Sequence, residues 1–298
     1  IRKINTLMTQ IRYDLHCHST ASDGSLTPKE LIQRAVANQV DVLALTDHDT
    51  LAGLEEAHQA NAATQHTLTL IDGVEISTSW HGYDIHIVGL NLDRHHQGLL
   101  DFLVQQSEQR DQRAKKIGER LEKAGLKGAY DGAKALAKSA SITRGHYARW
   151  LIDQGYADTP KAVFNKYLAR GKTGYVANQW ASIEAAISQI HAAGGLAVLA
   201  HPCRYQMKTK WLRRLLVDFK TAHGDAMEVQ QSQQAPHERQ LLGQLAQEFG
   251  LQQSLGSDFH QVTPWIDLGR HLGYLEDQPW LWLSETWHAK SNSKAAKL

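Results

Sequence analysis

Cysteine is nearly absent. Cys17 and Cys203 are the only two in 298 residues, too few for a disulfide framework, so a reducing cytoplasm is the expected compartment. Long apolar runs are missing as well. None approaches the roughly 18 residues that span a bilayer, and no membrane partner is expected. The opening stretch IRKINTLMTQ holds no apolar signal-peptide core, and Met8 is a candidate natural start. Residues 1–10 and 286–298, the latter ending KSNSKAAKL, are expected to be flexible termini. No internal repeat is evident. Even net charge is small, at +1, which at first sight excludes a polyanion binder.

The distribution of charge removes that exclusion. Between Arg110 and Lys172 there are 15 Lys and Arg against 6 Asp and Glu, a local +9, so the remainder carries −8. Such asymmetry within one chain is informative. A charge run alone is more often a solvated helical face. Here Tyr147, Trp150, Tyr156, Phe164, Tyr167 and Tyr175 are interleaved with the cations, which favours a nucleic-acid surface.

Several short apolar runs read as parallel strands buried on both faces: IRYDLH, VDVLALT, TLIDGVEIS, YDIHIVGL, GLAVLAH, DAMEVQ and LQQSLGSD. Helical patterns separate many of them. TPKELIQRAVANQ offers Thr27 as N-cap, Pro28 at the first helical position and Glu30 to close a capping box. SIEAAISQIHAAGG starts at Ser182 and stops at Gly194-Gly195, and PHERQLLGQLAQEFG stops at Gly250. Strand–helix alternation with about seven strands predicts an α/β barrel. The alternation lapses between Leu99 and Asn178, read as an inserted all-helical domain. The expected division is 11–98 with 179–285 as the barrel, and 99–178 as the basic insert.

Histidines recur where such a barrel assembles its site, at the C-terminal ends of strands. His16 and His18 share one strand face, and Cys17, on the other, reads as a small core residue. Asp23 follows. LTDHDT supplies His48, GVEIS supplies Glu75, YDIHIVGL supplies His86, VLAHP supplies His201, and LGSDFH supplies Asp258 and His260. Any one buried histidine is more simply a satisfied core residue. Nine imidazoles and carboxylates brought together without compensation would cost several kcal/mol each. Divalent cations remove that cost, and an all nitrogen and oxygen set suits Mn²⁺, Zn²⁺ or Fe²⁺. Nine side chains are too many for one ion and about right for two or three.

His16-x-His18, Asp23, TDHD at 46–49, Glu75, His86, AHP at 200–202 and SDFH at 257–260 resemble the motif set of the polymerase and histidinol phosphatase (PHP) family. The resemblance runs from about Ile11 to Leu283. TRGHYARWL and ARGKTGYV are closer still to its ribonuclease AM and 3′,5′-nucleoside bisphosphate phosphatase branch. It implies a distorted seven-stranded (β/α) barrel holding three metals, with Mn²⁺ favoured. His16, His18, Glu75 and Asp258 would hold the first. Glu75 would bridge to a second, completed by His86 and His201, and Asp23, His48 and His260 would hold the third. Many relatives have histidine at the position of Asp23. Asp47 and Asp49 are expected to orient imidazoles or cap the next helix, not to ligate.

Weaker signals remain. A phosphate-loop reading of ARGKTGY fails because Lys166 stands where the motif needs glycine. Arg144, Arg170 and Lys172 are candidates for gripping phosphate as simple charges. Trp150 and Trp180 read as core, and Cys203 needs no catalytic role. No Ser-His-Asp or Cys-His system is found. The resulting expectation is a cytoplasmic metal-dependent phosphoesterase in which a metal-bridging hydroxide attacks phosphorus, with no residue assigned as general acid. Its expected substrates are 5′-phosphorylated RNA, degraded 5′ to 3′ in RNA processing including ribosomal RNA, and 3′,5′-bisphosphonucleotides. No obligate protein partner is expected. The alternatives are a small-metabolite phosphomonoesterase such as a histidinol phosphatase, and an RNA-binding scaffold with structural metals.

Overall fold

The seven apolar runs form seven strands in a computed structural model that describes residues 10–64, 68–138, 140–275 and 277–288. They are β1 (Tyr13–Asp14), β2 (Val42–Leu45), β3 (Thr69–Trp80), β4 (Tyr83–Leu90), β5 (Leu196–Leu199), β6 (Ala226–Gln231) and β7 (Gln252–Gly256). Neighbours in sequence are neighbours in the sheet. The ring closes between its ends: Leu15 N donates to Leu255 O at 3.2 Å, and Asp258 N to His16 O at 2.8 Å.

The strands are not all parallel, contrary to the expectation from their continuous hydrophobicity. β3–β4 and β4–β5 are antiparallel, while the other pairs run parallel. The cause is local. Trp80 pairs with Tyr83, leaving a two-residue connection, His81-Gly82. Both take positive φ, 46° and 78°, the geometry of a tight hairpin turn. No crossover helix fits between β3 and β4, so β4 runs backwards through the barrel.

Helices α1 (Pro28–Ala37) and α2 (Leu54–Ala62) connect the first strands. Between β4 and β5 lie α3 (Gln97–Lys123), α4 (Ala129–Ala137), α5 (Arg144–Asp153), α6 (Pro160–Val163) with a π turn Phe164–Leu168, and α7 (Ile183–Ala192). α8 (Thr209–Thr221) and α9 (Pro236–Glu248) complete the wall. The caps read from sequence are present: Thr27 and Glu30 form their capping box, and Ser182 accepts from Ala185 N.

The main core fills the barrel and packs α7, α8 and α9 around it. A separate cluster joins the helices between β4 and β5, with Ile117, Leu121, Tyr147 and Leu168 among its members. A third lies under α1 and α2 and takes in Cys17. α3 belongs to two of them. Leu99 and Leu103 sit in the barrel core, whereas Ala114 and Ile117 belong to the helical cluster. At about 1.5 Å per residue this one helix is ~40 Å long and spans both. A boundary at residue 99 therefore cuts through packed barrel structure. Trp287, assigned to a flexible terminus, is buried in the main core; residues 1–9 and 289–298 lie outside the described residues.

Candidate metal centre

All nine side chains meet at one mouth of the barrel, though not all from strand ends: Glu75 and His86 come from within β3 and β4, and the other seven from the segments that follow β1, β2, β5 and β7. Glu75, on β3 and fully buried, is the hub. Its Oε2 lies 3.3 Å from His16 Nε2, 3.2 Å from His18 Nε2 and 3.0 Å from His48 Nδ1. Its Oε1 lies 2.8 Å from His86 Nδ1 and 2.9 Å from His201 Nε2. Asp258 Oδ1 is 3.1 Å from His18 Nε2, and Asp23 Oδ1 is 3.3 Å from His260 Nε2 and 3.9 Å from His48 Nε2. His201 and Asp258 hold left-handed backbone, φ 30° and 50°, which is strained for residues with a Cβ and points to constraint by the site.

These side chains fit divalent cations better than they fit each other. His16 and His18 turn Nε2 atoms toward one another at 3.1 Å. His18 Nδ1 and His201 Nδ1 are buried without a hydrogen-bond partner, while Asp23 Oδ1, His48 Nδ1 and Glu75 Oε2 meet their neighbours in the cluster only at ion-pair distance, outside good hydrogen-bond geometry. Orphaned buried donors and acceptors are costly, and a cation bound among them removes the cost. Among the described residues, three groups offer ligand atoms within 4.8 Å of one another: His16, His18, Glu75 and Asp258; His18, Asp23, His48 and His260; and His48, Glu75 and His86.

Electrostatics in the cluster are correspondingly strained. Burial pulls His18 down, but hydrogen bonds to Asp258 and Glu75 outweigh it and lift the ring to about 10. Burial dominates at His48, which falls to about 4 despite Glu75 and Asp23. Burial opposes ionisation of Glu75, yet His48, His16 and His86 hold its carboxyl well below the usual range.

Several supporting residues were not singled out in the sequence. Glu228, on β6, takes His16 Nδ1 at 2.6 Å and accepts from His201 N at 2.7 Å. It fixes one ring's tautomer and one backbone together. Its signal was its place in β6, a buried strand with a lone acid. Arg204 donates to Asp258, and Thr143 donates to Asp23 at 2.8 Å. Among the described residues, neither Asp47 nor Asp49 hydrogen-bonds an imidazole, and the helix that follows, α2, has no side-chain cap. Asp47 braces the loop that carries Asp23 by accepting from Ser19 N, Ser19 Oγ and Ser22 Oγ. Asp49 accepts from Ser77 N and pairs with Arg110. Cys17 is buried core, as its strand parity predicts.

Beside the cluster opens a cavity of about 420 Å³. Asp23, His48, His86 and His260 form one side of it. Arg110, Arg113, Arg144 and Arg204 line it, with Ile117, Ile142, Phe164 and Trp180 as apolar surface. Asp84 organises two of the cations, 2.9 Å from Arg144 Nη2 and 3.5 Å from Arg113 Nη2. Burial, with Arg144 close by, pushes Arg113 down to about 10. Trp180 is core, as expected, yet its ring also carries the guanidinium carbons of Arg110 and Arg113 at 5.1 and 5.4 Å. Arg144 is thus at the site. Arg170 and Lys172 are exposed and outside the cavity lining, because the turn after Leu168 projects into solvent.

A PHP domain matches residues 14–195, which takes in the strands from β1 to β4 and all the helices before β5. The chain belongs to the PHP family. An exoribonuclease from Salmonella typhimurium, the 5′-3′ exoribonuclease Rnm, is 54% identical over 92% of this chain and 93% of its own. The 3′,5′-nucleoside bisphosphate phosphatase of Chromobacterium violaceum is 43% identical over 89% of this chain and 92% of its own. Among solved structures, an amidohydrolase from Chromobacterium violaceum with bound sulfate and no metal superposes with a TM-score of 0.84 at 41% identity, covering 94% of this chain and 96% of that one. Within this PHP site the groupings differ in two respects from the assignment that the resemblance implied. His18 is close enough to serve two groups, and His48, 3.0 Å from Glu75, stands with Glu75 and His86 where the resemblance put His201, which touches Glu75 at 2.9 Å but falls in none of the three groups. The cluster is more tightly shared than three separate ligand sets.

Proposed function

We propose that this protein is a metal-dependent phosphoesterase that removes 5′-mononucleotides from 5′-phosphorylated RNA and takes the 3′-phosphate from 3′,5′-bisphosphonucleotides. The observation that carries the reading is the contact between two unlike surfaces, a nine-residue ligand cluster and a cavity whose walls combine four arginines with aromatic rings. The relatives' names agree with it. Both substrates carry a 5′-phosphate and a P–O3′ bond, so one site reading the first and cutting the second serves both.

His16, His18, Glu75 and Asp258 would hold one ion, Glu75, His86 and His201 a second, and Asp23, His48 and His260 a third; Mn²⁺ is the proposed ion. When bound, the ions supply positive charge at the phosphoryl oxygens and lower the pKa of water. The protein's own groups do the rest. Arg113 and Arg144, held on Asp84, take the terminal 5′-phosphate by charge-assisted hydrogen bonds. Phe164, Ile117 and Ile142 give the base an apolar wall. Arg204 braces Asp258 at the edge where the cut bond lies. We further propose that residues 99–178 serve as the RNA-steering part of the chain, bringing a polyanion to the mouth through the +9 charge carried between Arg110 and Lys172. The proposed setting is RNA processing in the cytoplasm, where thiols such as Cys17 and Cys203 stay reduced.

The test uses two RNAs of one sequence, 5′-phosphorylated and 5′-hydroxyl, with Mn²⁺ and a chelator control. Chelator-sensitive release of 5′-mononucleotides, faster from the phosphorylated RNA, is the expected result. Arg144→Ala should narrow the preference for the phosphorylated end by about tenfold or more, the scale of a lost charge-assisted hydrogen bond. Equal losses on both RNAs would remove Arg144 from end recognition.

A further inference from the structure

An RNA strand continues past the bond being cut, and the barrel mouth carries a second surface outside the cavity. The β3–β4 hairpin ends in Trp80-His81-Gly82-Tyr83. Trp211, on the first turn of α8, stands against that tip. Its ring centroid is 5.7 Å from Trp80, 5.8 Å from His81 and 6.3 Å from Tyr83. Trp80 is buried and donates Nε1 to Asp218 at 2.8 Å, which anchors the group. His81 is exposed, and Trp211 keeps 37% of its surface open. One turn along α8, the guanidinium carbon of Arg214 lies 5.5 Å from the Trp211 ring centroid.

The setting is cationic. Lys208, Lys210 and Arg214 are exposed, and Asp218 is the one acid within α8. Arg213 is paired with Glu248, but among the described residues no carboxylate pairs with Lys208, Lys210 or Arg214. The apolar face of α8, Leu212, Leu215, Leu216 and Phe219, is already buried without Trp211. An exposed indole with a cation over its face, in an acid-poor surface, suits single-stranded nucleic acid, whose bases stack and whose phosphates pair.

Two segments make this ledge continuous with the cavity. Asp84 lines the cavity, and the preceding residue Tyr83 borders the ledge. Arg204 lines the cavity and begins the short run that reaches Lys208 and Trp211. Arg170, which the cavity leaves out, approaches the hairpin turn at Gly82.

We propose that the ledge built on Trp211, His81 and Arg214 holds the RNA strand 3′ of the cut bond, by base stacking on Trp211 and phosphate contacts with Lys208, Lys210 and Arg214. The proposal rests on the exoribonuclease reading above. A bisphosphonucleotide ends at the cut bond and does not reach the ledge, so the two substrates separate its role from that of the cavity.

The test binds a 5′-phosphorylated, 3′-fluorescein octaribonucleotide to the full chain in chelator, by anisotropy across a salt series. Turnover of adenosine 3′,5′-bisphosphate with Mn²⁺ is measured in parallel. Trp211→Ala should weaken octamer binding about tenfold with its salt slope unchanged. Arg214→Ala should weaken binding and reduce the slope by about 0.7, one phosphate contact on a single strand. Trp211→Phe should restore most of the affinity, and all three should turn over the bisphosphonucleotide as the parent does. Octamer binding by Trp211→Ala at parental strength overturns the ledge, as does an equal loss on the bisphosphonucleotide. A parent that binds the octamer no better than a dinucleotide also overturns it. A parent that binds the octamer through Trp211 but releases no nucleotides sinks the exoribonuclease reading and leaves the ledge standing.

Discussion

Glu228 illustrates what single residues contribute. Its carboxylate holds His16 Nδ1, so the Nε2 atom faces the cluster as an acceptor. Partners of this kind typically govern 10- to 100-fold in metal affinity. Glu228→Gln should therefore lower Mn²⁺ affinity by about that factor in a competition titration with a chromophoric chelator. Unchanged affinity would assign Glu228 to holding the His201 backbone alone. Gly256 sets a steric limit beside the same histidine. A Cβ there would lie 2.3 Å from His16 Cβ and 2.8 Å from His16 N. Neither atom is the free end of a flexible side chain, so strand β1 must shift. Gly256→Ala should cost about 1–3 kcal/mol in a denaturant melt, with a parental melt placing His16 on more yielding backbone than its contacts indicate. His16 was legible in the sequence through its spacing with His18. Glu228 was not, because one acid in a strand carries no period, and only the register of β6 beside the barrel centre brings it to the ring.

At the scale of elements, α5 is the instructive case. Thr143 caps it by accepting from Gly145 N and His146 N, and the same hydroxyl donates to Asp23. One side chain thus ties a helix of the basic segment to the loop after β1. Thr143→Ala should cost about 1 kcal/mol, while Thr143→Ser should restore it in the same thermal melt. His146 closes the capping box through Nδ1, 3.0 Å from Thr143 N. Burial holds its ring down at about 4, against an ordinary 6.5. Between those values the unfolded chain binds a proton that the folded chain refuses. The stability associated with a neutral His146 is therefore fully present above pH 6.5 and is lost as pH falls through 4, by up to about 3 kcal/mol. His146→Gln keeps an acceptor at the capping position and should lose stability less steeply between pH 6.5 and 4. Parallel curves for the two proteins would move this acid sensitivity to other groups.

Across the whole molecule, charge separates into a basic helical segment and an acidic remainder that includes the ligand cluster. Buried carboxylates and imidazoles at contact distance make the metal-free fold costly. Mn²⁺ at about 100 times its dissociation constant should stabilise the protein by about 2.7 kcal/mol over the chelated form. A melting temperature that ignores Mn²⁺ would count against the metal centre. Salt supplies the second global test. Between 50 and 200 mM salt, kcat/KM on RNA should fall much more than on a bisphosphonucleotide, because the longer polyanion releases more counterions. Equal salt dependence would reduce the basic segment to a solvated face.

Periodicity in the sequence was enough to find all seven strands, the caps at Thr27 and Ser182 and the nine-residue cluster. Each of those signals is local: a strand end, a cap and a His-x-His pair are written within a few residues. Direction of β4 was local as well, encoded in Trp80-His81-Gly82-Tyr83, but hydrophobicity alone does not carry it. The cavity arginines were decided elsewhere. Arg110 and Arg113 lie on α3, Arg144 on α5 and Arg204 after β5, and nothing in their spacing distinguishes them from Arg170 or Lys172. The long α3 helix, shared by two cores, carries two of them to the mouth, and Asp84 then holds Arg113 and Arg144 side by side. Composition determined how much positive charge this protein has. Only packing decided which charges face the metal ligands, because burial and distance are properties of the folded chain.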